Sequence, residues 1–470
     1  TGGTEIMAKK KEKTLEEKLQ EALVPENQWP YMLPENWCWT RLDFIANYKK
    51  GPFGSSLTKA MFVPKGKNTY KVYEQGNAIN KSTQYGSYYI TKEKYDSMDG
   101  FSVEPNDIIV SCAGTIGEIF RLPQNIEKGI INQALMRVRL NSSVVYQIFE
   151  YYFSNILIQN ITDESNGTAI KNIPPFKVLK QMPFPLPPLP EQKRIVHRIE
   201  SLFAKLDEAK EKIQQVLDGA EMRKAAILHK AFTGELTKNW RKENGISEDS
   251  WEVKKLSECG NWYGGGTPSK THPEYWEKGN ILWITSKDMK SDYIEDSQQH
   301  INSYGVENSS AKYIEEHALI CVMRSGILRH SFPVAVIKKT FTVNQDLKVL
   351  VPNKMINIEY LLFICKYKEQ SILNSCMKNG TTVESINFDK LKNFSIMIPA
   401  EIEQIRIVNI IKKFLCREND VLNKCNKFIT SIYTMKKSIL AKAFRGELGT
   451  NNPTEDSAIN LLKEVLQDKF

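Results

Sequence analysis

Six histidines (His197, His229, His272, His300, His317 and His330) are the side chains best suited to hold a metal or move a proton near neutral pH, and their spacing suits neither task. No H-E-x-x-H or comparable ligand pattern joins them, and His197 and His229 sit in stretches of helical periodicity, where a surface position is expected. Asn172-Ile173-Pro174-Pro175-Phe176 comes near the Asn-Pro-Pro-aromatic arrangement by which methylating enzymes present an asparagine to a flipped base, but the inserted Ile173 spoils the spacing. No glycine loop for a methyl donor accompanies it. Asp346-Leu347-Lys348 supplies a fragment of an Asp/Glu/Lys nuclease centre, a triplet too common to carry weight alone. Gly264 to Lys270 is glycine-rich but lacks the G-x-x-x-x-G-K-[ST] order that places a lysine on phosphates at a helix start. Catalytic residues, a metal and a bound cofactor are therefore not expected in this chain.

Other stretches have the composition of nucleic-acid contacts, in which small residues admit close backbone approach and Lys, Arg, Gln or Asn address phosphates and base edges. One runs from Lys49 and Lys50 through Phe53, Gly54, Ser55 and Ser56 to Lys59, and its counterpart holds Gly265, Gly266, Thr267, Ser269 and Lys270. Two apolar runs leave through tight, Ser/Gly-bearing exits, one with Ser111 and Thr115, the other with Arg324, Ser325 and Arg329. Gln133, Ser286, Lys287 and Gln345 complete the candidate set. A lone strand-end arginine grips guanine bidentately in some proteins and pairs with a carboxylate in more, and the plainer reading of each loop is a solvated turn.

The chain has 470 residues, 41% of them hydrophobic, enough for about three domains at roughly 150 residues each. Its 64 Lys+Arg against 55 Asp+Glu leave a net charge of +9, compatible with a polyanionic partner without requiring one. Apolar runs such as Tyr360 to Cys365 are far shorter than the roughly 18 residues of a membrane span, so no membrane partner and a cytoplasmic location are expected. Eight cysteines (38, 112, 259, 321, 365, 376, 416 and 425) include no C-x-x-C pair, which argues for reduced packing residues. Met7 ahead of a lysine run reads as a natural start, setting residues 1–6 apart as an addition, with a short charged helix over 8–24.

The elements that position these loops are written twice. Lys230-Ala231-Phe232-Thr233-Gly234-Glu235-Leu236 recurs as Lys442-Ala443-Phe444-Arg445-Gly446-Glu447-Leu448, a shift of 212 residues. The same shift carries Glu191-Gln192 onto Glu403-Gln404 and Arg194-Ile195-Val196 onto Arg406-Ile407-Val408. Upstream the match loosens, with Asn166-Gly167-Thr168 against Asn379-Gly380-Thr381 and Trp37, Leu42 against Trp251, Leu256. A unit this long is no solenoid repeat. Each copy has a variable part with strand-like runs, such as 107–110 and 134–140, and helical stretches near 144–160 and 358–376, followed by a more similar helical segment.

Those helices carry heptad seams: Ile195, Ile199, Leu202, Leu206, Ala209, Ile213, Val216, Ala220 and Ile227, with Arg223 as a misfit. The second seam holds Ile407, Ile411, Phe414, Val421, Cys425, Phe428, Ile432, Met435 and Ile439, with Glu418 as its misfit. Pro187, Pro188 and Pro190 set the first start, Gly234 and Gly446 stand at C-caps, and Gly219 is a point of interruption. The 36 steps from Ile195 to Ala231 make a continuous helix about 54 Å long. Two seams in one polypeptide favour antiparallel pairing within the chain, the alternative being an oligomerisation helix.

Leu186-Pro187-Pro188-Leu189-Pro190-Glu191-Gln192-Lys193-Arg194-Ile195-Val196, the repeated Lys-Ala-Phe-x-Gly-Glu-Leu, and Pro34-Glu35-Asn36-Trp37 before a variable block together form a recognisable combination. By them the chain resembles the specificity subunits of type I restriction-modification systems, over about residues 25–450. The second copy departs in its lead-in, Ile398-Pro399-Ala400-Glu401-Ile402, and in Thr381-Thr382 after Gly380 where Thr168-Ala169 follows Gly167. The resemblance implies a mixed α+β fold with a pseudo-two-fold internal repeat. Two globular α/β target-recognition domains would each read one half of an asymmetric, split site in double-stranded DNA, and two long helices would form an intramolecular antiparallel coiled coil as spacer. The boundaries expected are an N-terminal extension over 1–24, recognition domains over 25–187 and 241–398, helical regions over 188–240 and 399–450, and a tail over 451–470. It further implies that chemistry belongs to partners: two methylation subunits using S-adenosylmethionine on adenine, and restriction subunits using ATP and Mg. Two rival readings are a self-sufficient DNA modification enzyme and a coiled-coil scaffold that binds no DNA. The tail, with Ile459, Leu461, Leu462, Val465 and Leu466, is amphipathic enough to dock on the core or on a methylation subunit.

Overall fold

The computed structural model describes residues 13–157, 173–247, 249–314, 317–378 and 383–468. The paired Asn-Gly-Thr motifs, Asn172 and residues 1–12 lie outside the described residues. The chain divides into two compact units, Thr1–Glu211 with Phe428–Phe470, and Lys212–Lys427. Both boundaries fall within long helices, so each unit contains a globular part and a portion of each helix.

In the first unit the β-branched and aromatic runs become short strands between Gly, Asn and Pro turns. These are β1 (Cys38–Arg41), β2 (Ala46–Lys50), β3 (Thr69–Tyr73), β4 (Tyr89–Thr91), β5 (Ile108–Ser111), β6 (Ile119–Arg121), β7 (Gly129–Ile131), β8 (Leu135–Leu140) and β9 (Pro183–Leu186). A four-stranded antiparallel sheet has the order β2-β8-β5-β6, and a three-stranded one the order β4-β3-β7, with β3 and β7 parallel. β1 and β9 pair antiparallel, Trp39 opposite Pro185, and bring the start of the globular part beside its exit. The proline-rich β9 suits a two-stranded ribbon, where a missing N–H breaks no central ladder. The core joins Ile108, Val110, Met136 and Val138 from the sheet with Phe149, Phe153, Ile195, Ile199 and Phe444 from helical segments.

The second unit repeats this plan with β10 (Glu252–Lys255), β11 (Gly260–Gly264), β12 (Ile281–Ile284), β13 (Tyr293–Ile294), β14 (Gln299–Ile301), β15 (Ala318–Val322), β16 (Val334–Ile337), β17 (Phe341–Val343), β18 (Leu347–Pro352) and β19 (Ser395–Ile398). Its sheets run β11-β18-β15-β16-β13 and β14-β12-β17, and β10 pairs with β19. Setting aside the extra edge strand β13, the strand orders of the two units correspond one to one. The helix Tyr146–Tyr152 of the first unit corresponds in the second to Ile358–Tyr367, whose run Tyr360 to Cys365 is buried on all faces as a core helix.

The first long helix runs Leu189–Asp218 and resumes as Ala220–Phe232, and the second runs Glu401–Phe444 without a break. Gly219 is a mild interruption: its N–H still donates to the Gln215 carbonyl at 3.1 Å and its carbonyl still accepts from Arg223 N–H at 3.1 Å. Gly234 and Gly446 have φ of +79° and +74°, the left-handed geometry that ends a helix at little cost only for glycine. In the first unit Lys436 pairs with Asp207 at 2.6 Å and lies over the Phe203 ring. In the second, the two heptad misfits meet: Arg223 pairs with Glu418 and also donates to the Val216 carbonyl at 2.8 Å. Each unit thus holds at least one contact between a segment of the first long helix and a segment of the second.

The seams are uneven. Ile195, Ile199, Ile407, Ile411 and Ile432 are buried, but Val216, Val421 and Phe428 are 38%, 40% and 42% exposed, so equal burial along the heptads is not found. Ile195, Ile199, Ile407 and Ile411 are buried where each helix also crosses a globular core. Of the helix expected over 8–24, residues 8–12 lie outside the described residues, and in the rest the helix spans Leu15–Ala22, its start set by a capping box of Thr14 and Glu17. The tail helix Ala458–Asp468 docks on the first unit's core through Ala458, Leu462 and Leu466, beside Leu19 and Ala22.

Candidate nucleic-acid interface

In the first unit, β2 ends in Lys49-Lys50 and the chain leaves through Gly51, where a Cβ would lie 1.8 Å from the Asn132 carbonyl oxygen. Only glycine fits that approach, and it draws the β2 exit against the turn before β8. Pro52 and Leu57 are buried and anchor the loop at both ends, so Phe53, Gly54, Ser55 and Ser56 project between them, Phe53 with 86% of its surface exposed. Lys59 is exposed on the following turn. Lys50, Gln133, Cys112, Ala113 and Phe176 line one cavity of about 70 Å³, which unites the β2 exit, the β5 exit and the β8 entrance. Lys49 is turned the other way, its ammonium 4.7 Å from the centre of the Phe101 ring.

One residue of this set does different work from that expected. Ser111 is buried, and its hydroxyl accepts the Glu118 N–H at 2.9 Å, so it closes the β5–β6 turn and is not available to DNA. Thr115 is exposed on that turn, and its carbonyl accepts from Gln75 Nε2 at 3.3 Å.

The second unit assembles the same strand ends by different contacts. A Cβ on Gly265 would lie 1.9 Å from the Val343 carbonyl oxygen, and one on Gly266 would lie 2.2 Å from Ser310 Oγ. These glycines therefore serve close packing of the loop itself. Thr267 hydrogen-bonds to Gln345, Ser269 Oγ lies 2.6 Å from Thr271 Oγ1, and Pro268 is buried, so this loop is strapped down where its counterpart projects. Asn344 N–H donates to the Ile284 carbonyl at 3.0 Å and brings the turn with Ser286 and Lys287 alongside. Met323 N–H donates to the Asp346 carbonyl at 2.8 Å, adding the β15 exit with exposed Arg324. Ser325 caps the short turn Gly326–Arg329, and Arg329 pairs with Glu384, whose carboxyl it holds below the usual carboxylate range. Both arginines of this exit are exposed, and Arg329 is the one with a carboxylate partner.

Sequence reasoning overlooked three side chains here. Trp276, Gln299 and His300 join Lys270 around an open recess of about 350 Å³, with His300 Nε2 2.8 Å from Asp296 Oδ1. The nearness of a tryptophan to a basic loop was the available signal. Among the described residues no cluster of His, Cys, Asp or Glu could hold a metal ion, and no helix is long and apolar enough to cross a membrane. All eight cysteines are free.

At the helix starts the duplicated Glu-Gln pairs are buried. Glu191 accepts from Thr450 Oγ1 at 2.6 Å and Arg194 at 2.7 Å, and Arg194 grips Glu455 with two bonds of 2.7 and 2.8 Å. Burial pushes the Glu191 carboxyl up against the pull of Thr450 and Arg194. Glu403 accepts instead from Thr237 at 2.6 Å, Arg241 at 2.5 Å and the Trp251 indole at 3.2 Å. Arg406, the counterpart of Arg194, stacks on Trp240.

The sequence profile of the type I restriction modification DNA specificity domain matches residues 34–218 and again 248–431. The specificity subunit of the type I restriction enzyme EcoR124I/EcoR124II of Escherichia coli is 34% identical over 249 residues, 52% of this chain and 57% of that one, so the match spans little more than half of that relative. The EcoDI specificity subunit of Escherichia coli is 28% identical over 415 residues, 84% of this chain and 91% of that one. In fold, the chain is similar to the HsdS subunit of Thermoanaerobacter tengcongensis, with a TM-score of 0.61 at 18% identity over 90% of this chain and all of that one.

Proposed function

The chain belongs to the type I restriction modification DNA specificity family, and from that premise we propose that it is the non-catalytic subunit that selects the DNA target of a type I restriction-modification complex. The carrying observation is that the two profile matches fall one on each globular part, built to one strand plan but presenting unlike loops. Each part reads one half of a bipartite site, and unlike loops mean unlike halves. The recognition domains are taken as 25–187 and 241–398, with helical regions over 188–240 and 399–450. Arg324, Lys270, Lys287, Lys50, Gln133 and Phe53 lead the candidate contacts, since each is exposed at the shared strand ends.

The contacts between long-helix segments support an antiparallel coiled coil formed within the chain. Such a coil would hold two readers on major-groove segments about one helical turn, roughly 34–36 Å, apart. Methyl transfer from S-adenosylmethionine and ATP-driven cleavage fall to two methylation subunits and to restriction subunits in the cytoplasm. The test is to co-express the chain with its methylation subunit and map methylated adenines across the host genome. A split motif with unlike halves supports the reading. Methylation by the chain alone would favour a self-sufficient modification enzyme, and a stable complex without a motif would favour a scaffold.

A further inference from the structure

Gln192 and Gln404 stand at equivalent places in the first turns of the two long helices, and each is buried. Gln192 Nε2 donates to the carbonyls of Ser143 at 2.7 Å and Pro187 at 3.0 Å, while its Oε1 accepts the Val145 N–H at 2.8 Å. Gln404 Nε2 donates to the carbonyls of Met355 at 3.1 Å and Pro399 at 2.8 Å, while its Oε1 accepts the Asn357 N–H at 2.8 Å. All three partners, like the glutamines, are related by the shift of 212 residues.

Every atom that the glutamine addresses is main-chain, so Ser143 and Met355, or Val145 and Asn357, differ without changing the joint. Val145 and Asn357 are the N-cap residues of Tyr146–Tyr152 and Ile358–Tyr367, and Pro187 and Pro399 lead into the long helices. One planar amide thus ties a loop of the globular part, the cap of its helix and the entry to the long helix. Rocking the globular part on that helix would break at least two of the three bonds and leave buried polar groups unpaired. The neighbouring Glu191 and Glu403 are held by unlike partners, so the glutamine is the part of the joint that both units share.

We propose that Gln192 and Gln404 are positioning residues that hold each recognition domain at one angle on its long helix, and that this angle sets how strictly the complex measures the distance between its two half-sites. The inference rests on the reading of the chain as a DNA specificity subunit. Its leverage is geometric: a tilt of about 10° at the joint displaces a contact about 20 Å away by roughly 3.5 Å, close to the rise of one base pair.

The test uses the full chain in complex with its methylation subunits. Methylation mapping of the wild type gives the motif and its spacer. Binding is then measured on duplexes with that spacer and with one base pair more or fewer, for Gln192→Met, Gln404→Met and the double variant. Methionine fills a similar volume without the hydrogen bonds, and Gln192→Ala and Gln404→Ala serve as the harsher pair. Unchanged half-sites, with discrimination against the wrong spacer reduced about tenfold for each joint loosened, are expected. Undiminished discrimination in the double Met variant would overturn the proposal, as would loss of the assembled complex in both Met and Ala variants, which would make the glutamines simple core residues. Absence of a split motif in the wild type would sink the specificity reading itself, and the inference with it, before any variant is made.

Discussion

The two units treat their helix starts and their strand ends in opposite ways. At the helix starts, glutamine and glutamate recur at one spacing, and the glutamines bond to the same main-chain atoms in both units. At the strand ends the loops occupy corresponding places, yet Phe53 projects in one unit while Thr267 is strapped to Gln345 in the other. Uniformity belongs to the joint and divergence to the strand-end loops, as the proposed reading of two different half-sites requires. Within the joint, the glutamates show a smaller divergence: Glu403 is locked to a buried arginine, while Glu191 relies on the half-exposed Arg194 and on the tail.

The sharpest break in that comparison comes from the two arginines. Arg241→Ala strips Glu403 of its buried partner and should cost about 3–5 kcal/mol, whereas Arg194→Ala, with a more solvated guanidinium, should cost about 1–2 kcal/mol. Denaturant unfolding of the full chain checks both, and equal losses would erase the distinction. The loops give the next contrast. Gly265→Ala drives a Cβ into the Val343 carbonyl and should destabilise by about 1–3 kcal/mol, while Gly54→Ala, with open space around it, should change stability by no more than about 0.5 kcal/mol.

On DNA, Arg324→Ala should weaken binding by about 1–3 kcal/mol and relax the base choice at one position of one half-site, as read by binding to a panel of single-base variants. Loss of affinity spread evenly over all sequences would reassign it to a phosphate. Lys50→Ala and Lys270→Ala should each cost about 1 kcal/mol on any sequence and lower the slope of log affinity against log salt by about 1. Ser111→Ala should leave DNA binding untouched while costing about 1 kcal/mol of stability, because its hydroxyl serves only the β5–β6 turn.

Much of the scaffold was legible in the sequence because its signals are side-chain identities. The duplicated Lys-Ala-Phe-x-Gly-Glu-Leu marks both helix ends, and Gly234 and Gly446 are glycines because the backbone there turns left-handed. The alternating strand runs and Pro187 placed the sheet and the helix start within a few residues. The joint was not legible, since Gln192 and Gln404 address main-chain atoms that leave no trace in residue type. Nor could spacing alone show that Ser111 is buried, that Arg329 has a carboxylate partner 55 residues away or that Gln299 and His300 come up beside Lys270, because each depends on how the strands and turns pack together. Arg223 and Glu418 were visible as two separate flaws in two seams, and only the pairing of the helices shows them to be one feature.

That ion pair bears on which halves recognise each other as kin. Under the shift of 212 residues, Arg223 corresponds to Met435 and Glu418 to Leu206, both apolar. In the antiparallel register proposed above, two first halves brought together would set Arg223 against Leu206, and two second halves would set Glu418 against Met435. Each such union of like with like strands two charges of one sign against apolar side chains. Only unlike halves cancel the charge. A duplicated sequence runs a standing risk of each copy mistaking its twin for itself, and an arginine in one seam with a glutamate in the other weighs the choice toward the unlike copy.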